Sequence, residues 1–131
     1  MNASASKFNP DRRPKNLNLF TIYFPIPAIV SICHRITGVA LFLLIPVILW
    51  GFNYSLTSHG FDDYHAWLET FYIKLIIWLC LIPFIFHLVA GIRHLLSDIH
   101  IGDSLAGGRL ASYLTFIISG ILIVLAGIWL W

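Results

Sequence analysis

Residues 75–92 read LIIWLCLIPFIFHLVAGI, a stretch with no Asp, Glu, Lys or Arg but with one histidine, His87. Residues 36–61 and 110–131 also lack those four residue types. A helix needs about 20 apolar residues to cross the hydrocarbon core of a bilayer. The three stretches therefore predict three membrane-spanning helices, over residues 28–52, 70–96 and 110–131, which together form one transmembrane domain, residues 28–131.

The composition of the whole chain agrees with a protein that lies in lipid. Of its 131 residues, 59% are hydrophobic and only 11% are charged, a balance unlike that of soluble domains. Strands of a membrane barrel alternate apolar and polar residues, whereas LTFIISGILIVLAGIWLW, residues 114–131, is apolar in both registers. We therefore predict an all-α integral membrane protein, with lipid as a partner and no nucleic acid.

Positive residues indicate how the chain is oriented, because cytoplasmic flanks collect Lys and Arg. Five of the eight lie in residues 1–35, and Arg93 and Arg109 flank the connection between the second and third spans, while Lys74 alone lies near the opposite ends. We expect residues 1–27 to be a cytoplasmic N-terminal segment. They do not resemble a secretory signal, and a mitochondrial transit peptide would be longer and richer in Arg and Ser. A bacterial inner membrane is therefore expected.

His87 lies where lipid would not solvate an ionisable group, and such groups mark candidate functional sites. Gly91 and His94 follow at spacings of four and seven residues, so all three share one face of the predicted helix. An imidazole can coordinate haem iron, and a glycine beside it would let a flat macrocycle approach the backbone. A hydrogen bond from His87 to a neighbouring helix, with Gly91 serving close packing, explains the same pattern.

A six-coordinate haem iron would need a second axial ligand. No other histidine is predicted at the depth of His87, because the remaining five lie in loops or near the cytoplasmic edge: His34, His59, His65, His94 and His100. The second ligand is therefore expected from a different polypeptide.

A second polar group, SICHRITG over residues 31–38, lies at the cytoplasmic entrance of the first span. Ser31 and Arg35 are four residues apart and His34 is adjacent, so a hydroxyl, a guanidinium and an imidazole are expected to converge. Arg35 is a fixed cation that suits a haem propionate or a developing quinone oxyanion. Alternatively, Arg35 is a snorkelling anchor and Ser31 a capping hydroxyl.

Asp98 follows His87 by eleven residues, about three helical turns, and so lies on the same stripe. Its carboxylate could pair with Arg93 or Arg35. A solvated position at the end of the helix explains Asp98 equally well.

Together these groups resemble the cytochrome b membrane-anchor subunit of succinate:quinone oxidoreductase, respiratory complex II. One family signature is Arg-Pro followed by S-x-x-H-R-x-[ST]-G, matched by Arg13, Pro14, Ser31, His34, Arg35, Thr37 and Gly38. The other is H-x-x-x-G-[IL]-R-H-x-x-x-D, matched by His87, Gly91, Ile92, Arg93, His94 and Asp98. The two matches occur in the family's order, and the resemblance covers nearly the whole chain.

The resemblance implies that the chain is half of a heterodimeric haem-binding helix bundle. His87 would be the axial ligand of a haem b shared with a second three-helix anchor subunit, which would supply the other ligand. Ser31 and Arg35 would line the site at which ubiquinone, the substrate, is reduced. A polar cluster would surround the haem propionates: His34, Arg35, His94 and Asp98.

For the complete enzyme, the resemblance implies oxidation of succinate to fumarate on a flavoprotein subunit and electron transfer through an iron-sulfur subunit to ubiquinone. This chain would dock that soluble part and would not be catalytic alone. Two rival functions stay open. One is a non-redox structural anchor. The other is a proton-conducting subunit of another respiratory complex, disfavoured because no ionisable group continues from His87 towards Lys74.

Overall fold

The computed structural model describes residues 23–57, 59–102 and 104–131. These residues form four helices and no strand: α1, Ile26–Ser55; α2, Gly60–Leu68; α3, Phe71–Asp98; α4, Leu105–Leu130. Three of them, α1, α3 and α4, are long and apolar enough to cross a membrane. At about 1.5 Å per residue each is about 40 Å long, more than the hydrocarbon thickness of about 30 Å. The prediction of three long membrane helices is confirmed. Arg13, Pro14 and the rest of residues 1–22 lie outside the described residues.

Prolines mark the start of α1, and a serine side chain caps the start of α4. Pro25 precedes α1, and Pro27 lies in its first turn. Backbone N–H groups of the first turn have no partner within the helix, so a proline there costs no hydrogen bond. Ser104 precedes α4, and its Oγ accepts a hydrogen bond from the Gly107 N–H at 3.0 Å. As a result α4 begins five residues before the predicted start at residue 110, and it includes Arg109, which was expected in the connection.

The end of α3 has the hydrogen bonds of a Schellman motif. The His100 N–H donates to the Ser97 carbonyl and the Ile101 N–H to the Leu96 carbonyl, both at 3.0 Å. His100 occupies the left-handed position with φ of 63°. These bonds carry α3 two residues past its predicted end at residue 96.

The connection between the first two spans contains a helix that the sequence analysis did not predict. Residues 54–69 were expected to form a loop, but Gly60–Leu68 are helical, so His65 belongs to α2 rather than to a loop. Asp62 and Asp63 lie in the first turn of α2, where negative charge interacts favourably with the helix dipole. The absence of a long apolar run explains why this short helix was missed.

Aromatic packing holds α2 against the end of α1. The Tyr64 side chain lies over Gly51, where an added Cβ would be 3.3 Å from the tyrosine hydroxyl. Tyr54 stacks on Trp67 with ring centroids 5.8 Å apart and planes 8° from parallel. These contacts hold α2 at the end of the bundle opposite His34, His87 and His94.

Most of the buried positions in the described residues are small or polar, while most large apolar residues lie on the surface. Helix α3 packs against both α1 and α4. Three residues of α4 are almost wholly buried: Ser112, Thr115 and Ser119. By contrast Trp129 is 81% exposed. Close approach through small side chains, with the bulky ones turned outward, is the packing expected of helices in lipid.

One hydrogen bond joins α3 to α4 near their far ends. The indole Nε1 of Trp78 donates to the main-chain carbonyl of Ile123 at 3.0 Å. A Cβ added to Gly127 would lie only 2.9 Å from that nitrogen. Gly127 therefore leaves the space that the Trp78 ring needs to reach the backbone of α4.

Candidate functional site

The interface between α1 and α3 brings both candidate groups of the sequence together. On α1, Val30, His34, Thr37 and Gly38 follow one another at spacings of four, three and one and share one stripe of the helix. Val30 is fully buried against Phe86 and Ala90 of α3, with Cys33 beside them. This contact fixes the two helices at the level of His87, which neighbours Phe86.

The ring of His87 is bonded to α1 through one of its two nitrogens. Nδ1 lies 3.0 Å from the main-chain oxygen of His34 and 3.2 Å from Oγ1 of Thr37. A carbonyl oxygen can only accept, so the proton of the neutral ring is on Nδ1. Nε2 makes no hydrogen bond with any residue in the described ranges, and its lone pair is available.

Three imidazoles form a cluster around this bond. The rings of His34 and His87 stack with centroids 4.0 Å apart and planes 12° from parallel. The ring of His94 lies 5.0 Å from His34 at an angle of 50°. The structure thus brings His87 together with His34 and His94, two of the four residues that were expected in the polar cluster.

Two glycines make room for the stacked rings. A Cβ on Gly38 would lie 3.0 Å from Cε1 of His87, and a Cβ on Gly91 would lie 3.5 Å from Nε2 of His34. Gly91 was expected to admit a macrocycle beside His87. In the structure the space at Gly91 is next to His34, and Gly38 is the glycine against His87.

Ser31 and Arg35 lie next to this cluster but do not join it by hydrogen bonds. Ser31 is half-buried and Arg35 is exposed. Neither side chain makes a hydrogen bond or an ion pair with a residue that the structure describes. Their spacing places them on one stripe of α1 with Gly38, which faces His87. Their donors are therefore available to a ligand.

Asp98 and Arg93 are not paired with each other. Asp98 is exposed and, within the described residues, forms no ion pair with Arg93 or Arg35. The side chain of Arg93 lies on the α4 side of α3, beside a cavity of about 440 Å³, and its Nε is buried without a hydrogen-bond partner. The pairing considered from the sequence is absent because α3 directs Arg93 towards α4.

The residues present fit a haem better than a bare metal ion. No group of three or more His, Cys, Asp or Glu in the described ranges could hold a metal ion. Haem iron already has four porphyrin nitrogens and needs only axial ligands. A histidine whose Nδ1 donates to a backbone carbonyl, with Nε2 free, is the usual arrangement of an imidazole ligand. His87 has both features.

Thr37 and Gly38 belong to the first signature, but no role was predicted for either of them. The signal was present, because they follow His34 by three and four residues and share its stripe. What the sequence did not reveal is that this stripe of α1 faces His87 across the interface.

Comparisons with known proteins agree with the resemblance. A family model described as "Succinate dehydrogenase/Fumarate reductase transmembrane subunit" matches residues 9–129. A succinate dehydrogenase cytochrome b556 subunit of Coxiella burnetii is 42% identical over 123 residues, covering 92% of this chain and 98% of that protein. One from Rickettsia bellii is 38% identical over 125 residues, covering 88% and 90%. One from Paracoccus denitrificans is 35% identical over 95 residues, covering 69% and 70%.

Proposed function

The chain belongs to the succinate dehydrogenase/fumarate reductase transmembrane subunit family, and from that premise we propose that it binds haem b and forms part of the ubiquinone-reduction site. It is a subunit of an enzyme complex and not a catalyst by itself. The observation that carries the proposal is the hydrogen bond from His87 Nδ1 to the His34 carbonyl at 3.0 Å, which leaves Nε2 free to bind iron.

The second axial ligand is assigned to a second three-helix anchor subunit. His34 is near His87, but the two rings lie face to face 4.0 Å apart, which cannot place their nitrogens on opposite sides of one iron. The haem is thus shared between two chains, and each supplies half of the bundle. A haem held by His87 would supply a one-electron redox centre.

Ser31 and Arg35 are assigned to the ubiquinone. Reduction to the quinol takes two electrons and two protons, so the site must stabilise negative charge on the quinone oxygens and admit protons. A guanidinium and a hydroxyl near the membrane surface can stabilise the negative charge. Their position near water allows protons to enter. His34, Arg35, His94 and Asp98 are assigned to the polar cluster near the haem propionates.

The soluble partners dock on the cytoplasmic side. The N-terminal ends of α1 and α4 and the C-terminal end of α3 lie at one end of the bundle and carry Arg35, Arg93 and Arg109. The other end has Lys74, paired with Glu69 at 3.0 Å, and this pairing lowers the pKa of Glu69. Such a bias supports a cytoplasmic N-terminus in a bacterial inner membrane. The iron-sulfur and flavoprotein subunits would then bind near Arg35.

A non-redox structural anchor is the second candidate function. The bond between His87 and α1 favours it, because that bond alone could hold two helices together. A purified complex whose dithionite-reduced spectrum lacks a b-type band would support this alternative.

Replacing His87 by Ala tests haem ligation. We expect the variant complex to lose haem or to hold it without its low-spin b-type spectrum, because one axial ligand is gone. Haem content per complex and reduced-minus-oxidised spectra measure this. His65→Ala, which removes an exposed histidine of α2, is the control and should leave both unchanged. An unaltered spectrum and occupancy in His87→Ala would remove His87 as the ligand.

Replacing Ser31 by Ala or Arg35 by Gln tests the quinone site. We expect succinate:ubiquinone activity to fall by about 10-fold or more, since a hydrogen bond to a charged group contributes about 1.5–3 kcal/mol. Succinate oxidation by an artificial dye should stay normal. Ser55→Ala, at the other end of α1, is the control. Equal loss of both activities would instead indicate defective assembly.

A further inference from the structure

We propose that Thr37 is a positioning residue for the haem ligand: its hydroxyl oxygen accepts the Nδ1 proton of His87, fixes the tautomer and so directs Nε2 towards iron. The inference rests on the proposed function, because it needs His87 to be an axial ligand. Under this proposal Thr37 of α1 controls the tautomer and the orientation of the His87 imidazole, which belongs to α3.

The hydrogen bonds around Thr37 leave one consistent arrangement. Oγ1 lies 2.9 Å from the main-chain oxygens of both Cys33 and His34, and 3.2 Å from Nδ1 of His87. A threonine has one hydroxyl proton, and the carbonyls can only accept it. With that proton directed to a carbonyl of its own helix, Oγ1 presents a lone pair to Nδ1. The Nδ1 proton is then shared between Oγ1 and the His34 carbonyl.

The alternative tautomer is unfavourable at this position. If the proton were on Nε2, Nδ1 would face the His34 carbonyl at 3.0 Å with two lone pairs opposed. Oγ1 could donate to Nδ1 only by giving up its carbonyl partners. Two acceptors for one proton therefore favour the tautomer that can bind a metal through Nε2.

Packing limits the rotation of the same ring. Gly38 lies against Cε1, and the ring of His34 covers one face of the imidazole. Thr37 is the next residue before Gly38, so the hydroxyl and the close backbone approach act on adjacent atoms of the ring. The position and the protonation of the imidazole are thus set by one turn of α1.

A second acceptor on Nδ1 has an electronic consequence. Hydrogen bonding at this nitrogen makes the imidazole a stronger donor to iron and stabilises the ferric state. Removal of the Thr37 hydroxyl should therefore raise the haem midpoint potential. It should also weaken haem binding, and loss of such outer-shell partners lowers metal affinity by about 10- to 100-fold.

The test compares haem in the assembled complex of the wild type and four variants: Thr37→Val, Thr37→Ser, Thr115→Val and His87→Ala. We expect Thr37→Val to raise the midpoint potential, shift the low-spin EPR signal and weaken haem retention. Thr37→Ser keeps the hydroxyl and should therefore have the wild-type midpoint potential, EPR signal and haem retention. Thr115→Val removes a buried threonine hydroxyl that bonds only its own helix, to the Ala111 carbonyl at 2.8 Å, and should change none.

Each adverse result identifies what has failed. A wild-type potential and EPR signal in Thr37→Val, with haem lost from His87→Ala, would overturn the role of Thr37 alone. Unaltered haem in His87→Ala would overturn the proposed function and this inference with it. Equal shifts in Thr37→Val and Thr115→Val would show a general packing effect and also overturn it. Thr37→Ala serves in place of Thr37→Val if the latter does not assemble.

Discussion

The environment of His87 combines two physical roles that are often treated as alternatives. Its Nδ1 joins α3 to α1, as a structural helix contact would, and the same bond leaves Nε2 free, as metal ligation requires. An isolated histidine in an apolar run made this residue a candidate for a functional site. That Thr37 and Gly38 are the partners of its ring could not be predicted, because the sequence does not show which stripe of α1 faces α3.

Gly38→Ala tests how tightly the ring is held. The new methyl would lie 3.0 Å from Cε1 of His87, so the ring must shift by a few tenths of an ångström. We expect haem retention to fall on the order of 10-fold, comparable to loss of an outer-shell partner. Haem titration of the complex, with its absorption spectrum, measures this. Gly120→Ala, where no atom lies within 4 Å of the added Cβ, is the matched control. Equal haem retention in Gly38→Ala and Gly120→Ala would show that the space at Gly38 does not matter for the His87 ring.

At the scale of helices, the sequence predicted the three spans, which long apolar runs determine. It did not predict the short helix α2 or the start of α4, which depend on local contacts and on a cap. The three spans follow from uncharged stretches. Helix α2, Gly60–Leu68, has no such stretch, and its stability depends on contacts with α1 that appear only after folding. The start of α4 depends on the Ser104 cap, which lies outside the uncharged stretch from which the span was predicted.

The contact between α3 and α4 yields a prediction about stability. Gly127→Ala would place a methyl 2.9 Å from Nε1 of Trp78 and displace the indole from the Ile123 carbonyl. Overpacking of this kind costs about 1–3 kcal/mol. We expect a lower midpoint of thermal unfolding for the detergent-solubilised complex.

The same substitution should cost less in a Trp78→Phe background, because the smaller ring removes the clashing atoms. A double-mutant cycle with Gly127→Ala and Trp78→Phe measures this coupling. Strict additivity of the two changes would show that Trp78 and Gly127 do not interact as described. Gly120→Ala again provides a control for the effect of adding a methyl to a glycine of α4.

The surface of the whole molecule is largely apolar and must be covered by lipid or by other subunits. Within the described ranges only three apolar side chains are buried, Val30, Phe86 and Ala90, while most large apolar residues are exposed. Such a chain depends on lipid and on neighbouring subunits to remove its surface from water. The sequence predicted this from its composition and from three uncharged runs. It could not predict which stripe of α1 faces α3, because each helix is apolar on nearly every side.

The acceptor of the His87 proton at 3.0 Å is an oxygen of the main chain, at His34. Mutation can exchange the imidazole at position 34 and abolish the ring stack, yet every amino acid carries the same peptide oxygen. A substitution at position 34 can therefore change the surroundings of the His87 ring while the bond from that ring to the α1 backbone is kept.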